Sequence, residues 1–393
     1  MEPWALDPEV VHLNHGAFGA CPKPVMATQQ AWRDLMESNP ARFMSDILPG
    51  ALDAARDELA VFVGADPAGT VFIPNATTGL GAVLGSLALG EGDRVVATDH
   101  MYNACRAQLD VIGLRTGCTV EVVEIPLPVI SSDDVVDRVL DRVDGATRLV
   151  VIDQVTSPTA LVFPVDRIVA ALEPEVPVLV DGAHSPGMVE LELSALGASF
   201  FAGNCHKWLC APKGAGFLYV GEAWRDRVRP HVISHGWNTP WPKAYRYHAL
   251  FDWTGTADYS AWLSVPSALA TIGNQRPGGW DEVMEVNRSL ALEARAILSA
   301  TLHQEPLAPD EMIGSMAALP LPPAADPTPA VSDPLLVRLR DEYRIEVSIN
   351  AWPAWPSRLL RVSAQLYNDP QQYLVLGHAL EELLGLEVGQ ARN

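Results

Sequence analysis

Lys207 lies in the run Gly203-Asn204-Cys205-His206-Lys207-Trp208, within a chain that has few lysines and a formal net charge of -21. Small and apolar neighbours place this amine in a partly desolvated setting, where it loses its charge more readily and acts as a nucleophile. Twenty-six positions upstream, the apolar run VLVD ends in Asp181, followed by Gly182-Ala183-His184. The pairing of a nucleophilic lysine with a strand-end carboxylate points to carbonyl chemistry. Pyridoxal phosphate asks a protein for four things: a lysine to condense with its aldehyde, a carboxylate for the pyridinium nitrogen, a flat group over the ring, and donors for the phosphate, best placed at a helix N-terminus.

Candidates for the last two stand earlier in the chain. Pro74-Asn75-Ala76-Thr77-Thr78-Gly79 precedes a Gly-rich helical run, so Thr77 and Thr78 offer hydroxyls and backbone N–H groups at a helix start. Taken alone, they also suit an ordinary N-cap. Asp99-His100-Met101-Tyr102-Asn103 follows the extended run RVVAT, and either Tyr102 or His100 offers a ring to stack. Each, taken alone, also suits a packed core.

The pattern around these residues predicts the elements that hold them. Helical periodicity covers residues 23–38, 51–64, 78–90, 102–116 and 133–143, the last capped by Ser131 or Ser132. Extended runs cover 94–98, 119–125, 149–153, 178–181 and 217–220. Runs such as LVVID and VLVD, apolar throughout, suit parallel strands buried on both faces. Helices alternating with such strands predict an α/β domain with a mostly parallel sheet, and ligands bind beyond the carboxyl ends of its strands, where Asp153 and Asp181 stand. After about residue 270 the style becomes α+β: helices over 280–303, 334–343 and 370–384, strands over 315–319, 345–349 and 359–364, and a Pro/Ala-rich surface loop. The expected division is 21–270 as the large domain and 271–393 as the small one.

Composition sets outer bounds. The acid excess disfavours nucleic acid and anionic membranes. No apolar run is long enough to span a bilayer, and the acidic start MEPWALDPEV is unlike a signal peptide. Five scattered cysteines without a CxxC pair argue against a disulfide framework or structural zinc, and the expected compartment is the cytoplasm. His231 and His235 have metal-ligand spacing but lack the adjacent glutamate of a zincin.

The combination Asp181-Gly-Ala-His184 with Gly203-Asn-Cys-His-Lys-Trp-Leu-Cys-Ala-Pro-Lys-Gly214 resembles class V aminotransferases, and within them the isopenicillin N epimerase-like branch. Leu13-Asn-His-Gly-Ala-Phe-Gly19, Asn39-Pro-Ala-Arg-Phe43, Asn75-Ala-Thr-Thr78, Thr254-Gly-Thr-Ala-Asp258 and Leu360-Arg-Val-Ser-Ala-Gln-Leu-Tyr-Asn368 match in the same order, so the likeness spans nearly the whole chain. It implies the fold-type I architecture, a large domain with a mostly parallel sheet plus a smaller α+β C-terminal domain, with residues 1–20 packing with that small domain. It also implies a homodimer with an active site shared between subunits and pyridoxal 5'-phosphate carried on Lys207. Asp181 would pair with the pyridinium nitrogen, His184 would bond the phenolic oxygen with Ser157 nearby, and Tyr102 would stack. Ala76, Thr77, Asn204 and His206 would hold the phosphate, with Thr256 reaching it from the other subunit. Asn204 stands where many members have serine. Arg361 would bind the substrate carboxylate, with Asn14 and Arg42 beside the substrate.

The expected reaction is at the α-carbon of an amino acid. Epimerisation needs proton return on the opposite face, for which Tyr102, His100 or Cys205 are candidates; Cys205 also suits a small buried thiol. A persulfide-forming desulfurase needs a mobile cysteine in the C-terminal third, and none follows Cys210. A C–S lyase and an aminotransferase are the alternatives, ahead of a non-catalytic binding protein. Trp237, Trp241, Trp253, Trp352 and Trp355 fall in Trp/Pro-rich stretches that suit a substrate entrance or a dimer contact.

Overall fold

The computed structural model describes residues 3–240, 242–328 and 332–385; Trp241 lies outside them. Twelve strands occur in chain order: β1 Val11–His12, β2 Thr70–Ile73, β3 Arg94–Thr98, β4 Thr119–Val123, β5 Thr147–Asp153, β6 Val178–Gly182, β7 Phe200–Asn204, β8 Gly216–Val220, β9 Met316–Leu321, β10 Ile345–Glu346, β11 Ser348–Ala351 and β12 Arg358–Ser363. The central sheet has seven strands in the order β2-β8-β7-β6-β5-β3-β4. Neighbours from β7 to β4 run parallel, and β8 is antiparallel to both β7 and β2.

Alternation along these strands feeds two apolar layers. Val96, Val150, Ile152, Val180 and Phe201 face one layer of helices, whereas Val95, Leu149, Val151, Leu179 and Phe200 face the other. Sheets covered on both faces need such uninterrupted apolar runs, and each buried aliphatic contributes about 1.5–3 kcal/mol. Both expected carboxylates therefore emerge from rigid strands, with Asp153 and Asp181 direct register partners on β5 and β6.

Several elements differ from expectation. The strand expected over 345–349 is two strands: β10 pairs in parallel with β1, and β11 pairs with β12 in the antiparallel sheet β11-β12-β9. Val347 between them accepts a hydrogen bond from Asn14 Nδ2 at 3.1 Å. The N-terminal segment thus lies beside the last third of the chain. Strands β2 and β7 and the helices Lys243–Asp252 and Val265–Gly273 were not expected; the last of these spans the expected domain boundary at 270. The long helix Gly279–Leu302 and helix Pro370–Leu384 pack together behind β9, the latter started by a capping box between Asp369 and Gln372.

Candidate active site

The carboxyl ends of β5, β6 and β7 open into a cavity of about 500 Å³ lined by Thr77, Tyr102, Asp153, Asp181, His184 and Lys207 among others. Lys207 follows β7 in the loop that returns through Gly214 to β8. Its Nζ lies 3.1 Å from His184 Nε2. The residue keeps some contact with the cavity but is otherwise surrounded by protein, so burial, with help from the Arg361 charge, lowers its pKa to about 8. The same burial keeps His184 neutral, its pKa held well below the usual imidazole range. A neutral amine is thus accessible near physiological pH, which condensation with an aldehyde requires.

Behind Lys207, His15 fixes the backbone. Its Nε2–H donates to the Lys207 carbonyl at 3.0 Å, while Nδ1 accepts from the Tyr367 hydroxyl at 3.0 Å. Gly19 completes this contact: it adopts φ +68°, and a Cβ there would stand 2.0 Å from the His206 carbonyl oxygen. Only glycine meets both conditions.

Asp181 is buried and accepts from the Ala183 N–H at 3.0 Å and from the Cys105 thiol at 3.2 Å. It is a fixed acceptor on the cavity floor, suited to a protonated ring nitrogen. Asn75 caps the helix Ala76–Ser86, taking the Thr78 N–H at 2.9 Å and the Thr78 hydroxyl at 3.1 Å. The Ala76 N–H donates to Asn204 Oδ1 at 2.8 Å. Ala76 and Thr78 are therefore occupied within the chain, and Thr77, whose N–H and hydroxyl make no bond among the described residues, is the free donor at this helix start. The Asn204 amide nitrogen likewise makes no hydrogen bond among the described residues. His206 donates Nδ1–H to the Ala215 carbonyl at 2.7 Å, and its Nε2 makes no bond among the described residues. A helix N-terminus with an amide, a hydroxyl and an imidazole around it is a donor set for a phosphate; with Asp181 and Lys207 on the same wall, the cavity fits pyridoxal phosphate.

The expected substrate groups are placed unevenly. Arg361 is buried and donates Nη1–H to the Ser157 carbonyl and, at 3.1 Å, to Ser157 Oγ. Its Nε is buried without a partner among the described residues, so one edge of the guanidinium is open to an acceptor. Asn14 lines a neighbouring cleft of about 660 Å³ with Phe18, Lys213 and Tyr367. Arg42 and Thr256 are exposed and do not line the cavity of their own chain. Tyr102 lines it and is 45% exposed. His100 does not: it is fully buried, donates Nε2–H to the Ile125 carbonyl and accepts at Nδ1 from Thr159, both at 2.7 Å, and packs on Phe163 and Trp352. This removes His100 as a stacking or proton-transfer group. Cys205 is likewise sealed in the core, its thiol pushed up by burial.

Asp153 and Cys105, to which the sequence attached no role, also stand at the site. Asp153 bore the same signal as Asp181, a carboxylate ending an apolar strand. Cys105 bore none. Trp352 and Trp355 line a cleft of about 450 Å³ that meets the main cavity at Tyr102 and Ser157. Trp237 instead lies under the guanidinium groups of Arg229 and Arg246, and Trp253 stacks on Tyr259.

The Aminotransferase class-V family profile matches residues 12–311. The chain belongs to the class V aminotransferase family. It is a pyridoxal-phosphate-dependent enzyme with the fold-type I architecture. It is 34% identical to an isopenicillin N epimerase of Amycolatopsis lactamdurans, over 97% of each chain. It is also 30% identical to a probable chloroplastic L-cysteine desulfhydrase of Arabidopsis thaliana, over 96% of this chain and 84% of the relative. Among solved structures, a cystine C–S lyase in complex with cysteine persulfide superposes with TM-score 0.80 at 22% identity, covering 95% of this chain and 97% of the other. An Escherichia coli cysteine desulfurase gives 0.78 at 20%, covering 98% of each. Among the described residues no helix is long and apolar enough to cross a membrane.

Proposed function

We propose that this class V enzyme epimerises an amino acid or amino-acid derivative at its α-carbon. The observation that carries this reading is the strand order. Lys207 follows β7 and Tyr102 follows β3, with Asp181 on β6 and Asp153 on β5 between them. At about 4.8 Å per strand, an amine and a phenol flank the carboxylate pair from opposite sides, and an epimerase needs proton groups on two sides of one carbon. The 34% identical epimerase supports the same reading.

Thr77, Asn204 and His206 would hold the cofactor phosphate, Asp181 its ring nitrogen and Lys207 its aldehyde carbon. When bound, pyridoxal phosphate withdraws electrons from the α-carbon and makes its proton acidic. Arg361 orients the substrate by pairing with its carboxylate, a task suited to a planar fork held rigid by Ser157. Lys207 Nζ takes or returns the α-proton on its side, and Tyr102 Oη does so on the other. The exposed Thr256 and Arg42 act across a homodimer interface, completing the cavity of the neighbouring subunit.

A C–S lyase is the second reading, favoured by the 30% identical desulfhydrase. Incubating the holoenzyme with a panel of amino acids in D₂O separates the two. Deuterium at the α-carbon with loss of stereochemical purity is the expected result. Release of pyruvate and sulfide without racemisation would establish the lyase instead, and keto acid formation an aminotransferase.

A further inference from the structure

Asp181 has a neighbour that the reaction above does not use. Asp153 stands opposite it in register on β5, lines the same cavity, and is equally buried, at 2% against 3% exposure. Two carboxylates side by side in a low-dielectric site cannot both ionise without strong repulsion, so the pair keeps one proton. The cation facing them is Lys207, and Cys105 faces them from the helix Asn103–Thr116. Lys207 compensates one negative charge of the pair, not two.

Burial, mutual repulsion and the partners of each oxygen together set which member keeps the proton. Asp181 accepts from two donors, the Ala183 N–H and the Cys105 thiol, and donors favour the ionised form. Asp153 Oδ2 is buried without a hydrogen-bond partner among the described residues. We propose that Asp153 is a positioning residue that stays protonated beside Asp181, so that the negative charge is confined to the carboxylate meant for the cofactor's ring nitrogen. Burial and repulsion by Asp181 push the Asp153 carboxyl well above the usual range, in keeping with this assignment. The backbone N–H groups of Tyr102 and of Asp153 itself oppose this, but burial and the Asp181 charge outweigh them. The inference rests on the cofactor site and not on the choice between epimerase and lyase.

The test compares Asp153→Asn, Asp181→Asn and the parent enzyme. Infrared spectra of the apo-protein at neutral pH should show a protonated-carboxyl band that Asp153→Asn removes. Asparagine imitates a neutral carboxyl, so Asp153→Asn should bind pyridoxal phosphate within about threefold of the parent, whereas Asp181→Asn should lose about 10- to 100-fold, the range for one charge-assisted hydrogen bond. Thermal melting of each apo-protein shows whether the fold survives. If it does not survive in Asp153→Asn, the parent band and its shift in Asp181→Asn still decide: relief of the repulsion should let Asp153 ionise at lower pH. Absence of the band in the parent, its persistence in Asp153→Asn, or equal losses of cofactor affinity in the two variants would overturn the assignment. Loss of epimerase activity alone would bear only on the reaction proposed above.

Discussion

Trp208 Nε1 donates to His184 Nδ1 at 3.4 Å, on the side of the imidazole away from Lys207. An indole N–H is only a donor, so Nδ1 must accept and the ring proton sits on Nε2. That proton faces Lys207 Nζ at 3.1 Å, and an amine that accepts it must be neutral. Trp208 therefore acts on the reactive lysine through the tautomer of His184.

Replacing Trp208 by Phe should free His184 to turn its lone pair toward the ammonium. The amine then gains an acceptor and its pKa rises from about 8. The pH at which apo-enzyme captures pyridoxal phosphate at half its maximal rate should move upward. An unchanged midpoint in a stably folded variant would show that the tautomer does not control the amine.

Lys207→Ala should leave the protein folded but unable to hold the cofactor covalently. Borohydride reduction followed by intact-mass measurement should label the parent chain once and the variant not at all. Labelling of the variant would place the anchor elsewhere.

Arg361→Lys should raise KM for amino acids about 10- to 100-fold, because an ammonium cannot keep both the Ser157 contacts and a bidentate carboxylate. Cofactor absorbance should be nearly unchanged. A variant with normal KM would release Arg361 from the substrate role.

Asn204 holds the Ala76 N–H and, in the proposed site, also meets the cofactor phosphate. Asn204→Ala strands the buried Ala76 N–H and should cost about 1–3 kcal/mol of stability. Asn204→Asp keeps the acceptor but sets a negative charge against the phosphate. It should therefore melt like the parent as apo-protein and bind pyridoxal phosphate more weakly, by titration at low salt.

Acid should destabilise the fold early. His15 is held neutral with its pKa lowered to about 3, and His100 and His206 to about 4, all chiefly by burial. Each folded value lies below the ordinary 6.5, so the unfolded chain binds protons first as pH falls. The stability these rings contribute is complete above about pH 6.5 and drains toward pH 3–4, at up to about 1.4 kcal/mol per pH unit per ring. Denaturant midpoints between pH 8 and 5 should fall accordingly, and the fall should lessen in His100→Asn.

Much of this was legible in the sequence because periodicity and breakers do the same work in both. The helix over 23–38 and the strand over 94–98 have the expected limits, and Asp181 and Lys207 share a cavity wall as their spacing suggested. β7 escaped notice: Ala202, Gly203 and Asn204 carry little extended propensity, and the strand is held by its neighbours β6 and β8. The choice between His100 and Tyr102 was also beyond reach. They are two positions apart, and only the turn after β3 decides which ring meets the cavity and which is buried against Trp352. Likewise, the Ala76 N–H looks free until a side chain 128 positions away takes it.

The reach of the N-terminal segment has a bearing on biosynthesis. β1 finds its partner in β10, and Asn14 bonds a carbonyl 333 positions further along the chain. The lysine loop, gripped by His15, thus waits for nearly the whole polypeptide to leave the ribosome before its support is in place. A nascent chain arrested before β10 should already bury the seven-stranded sheet yet capture vitamin B6 poorly, which makes cofactor loading a late event in the maturation of this protein.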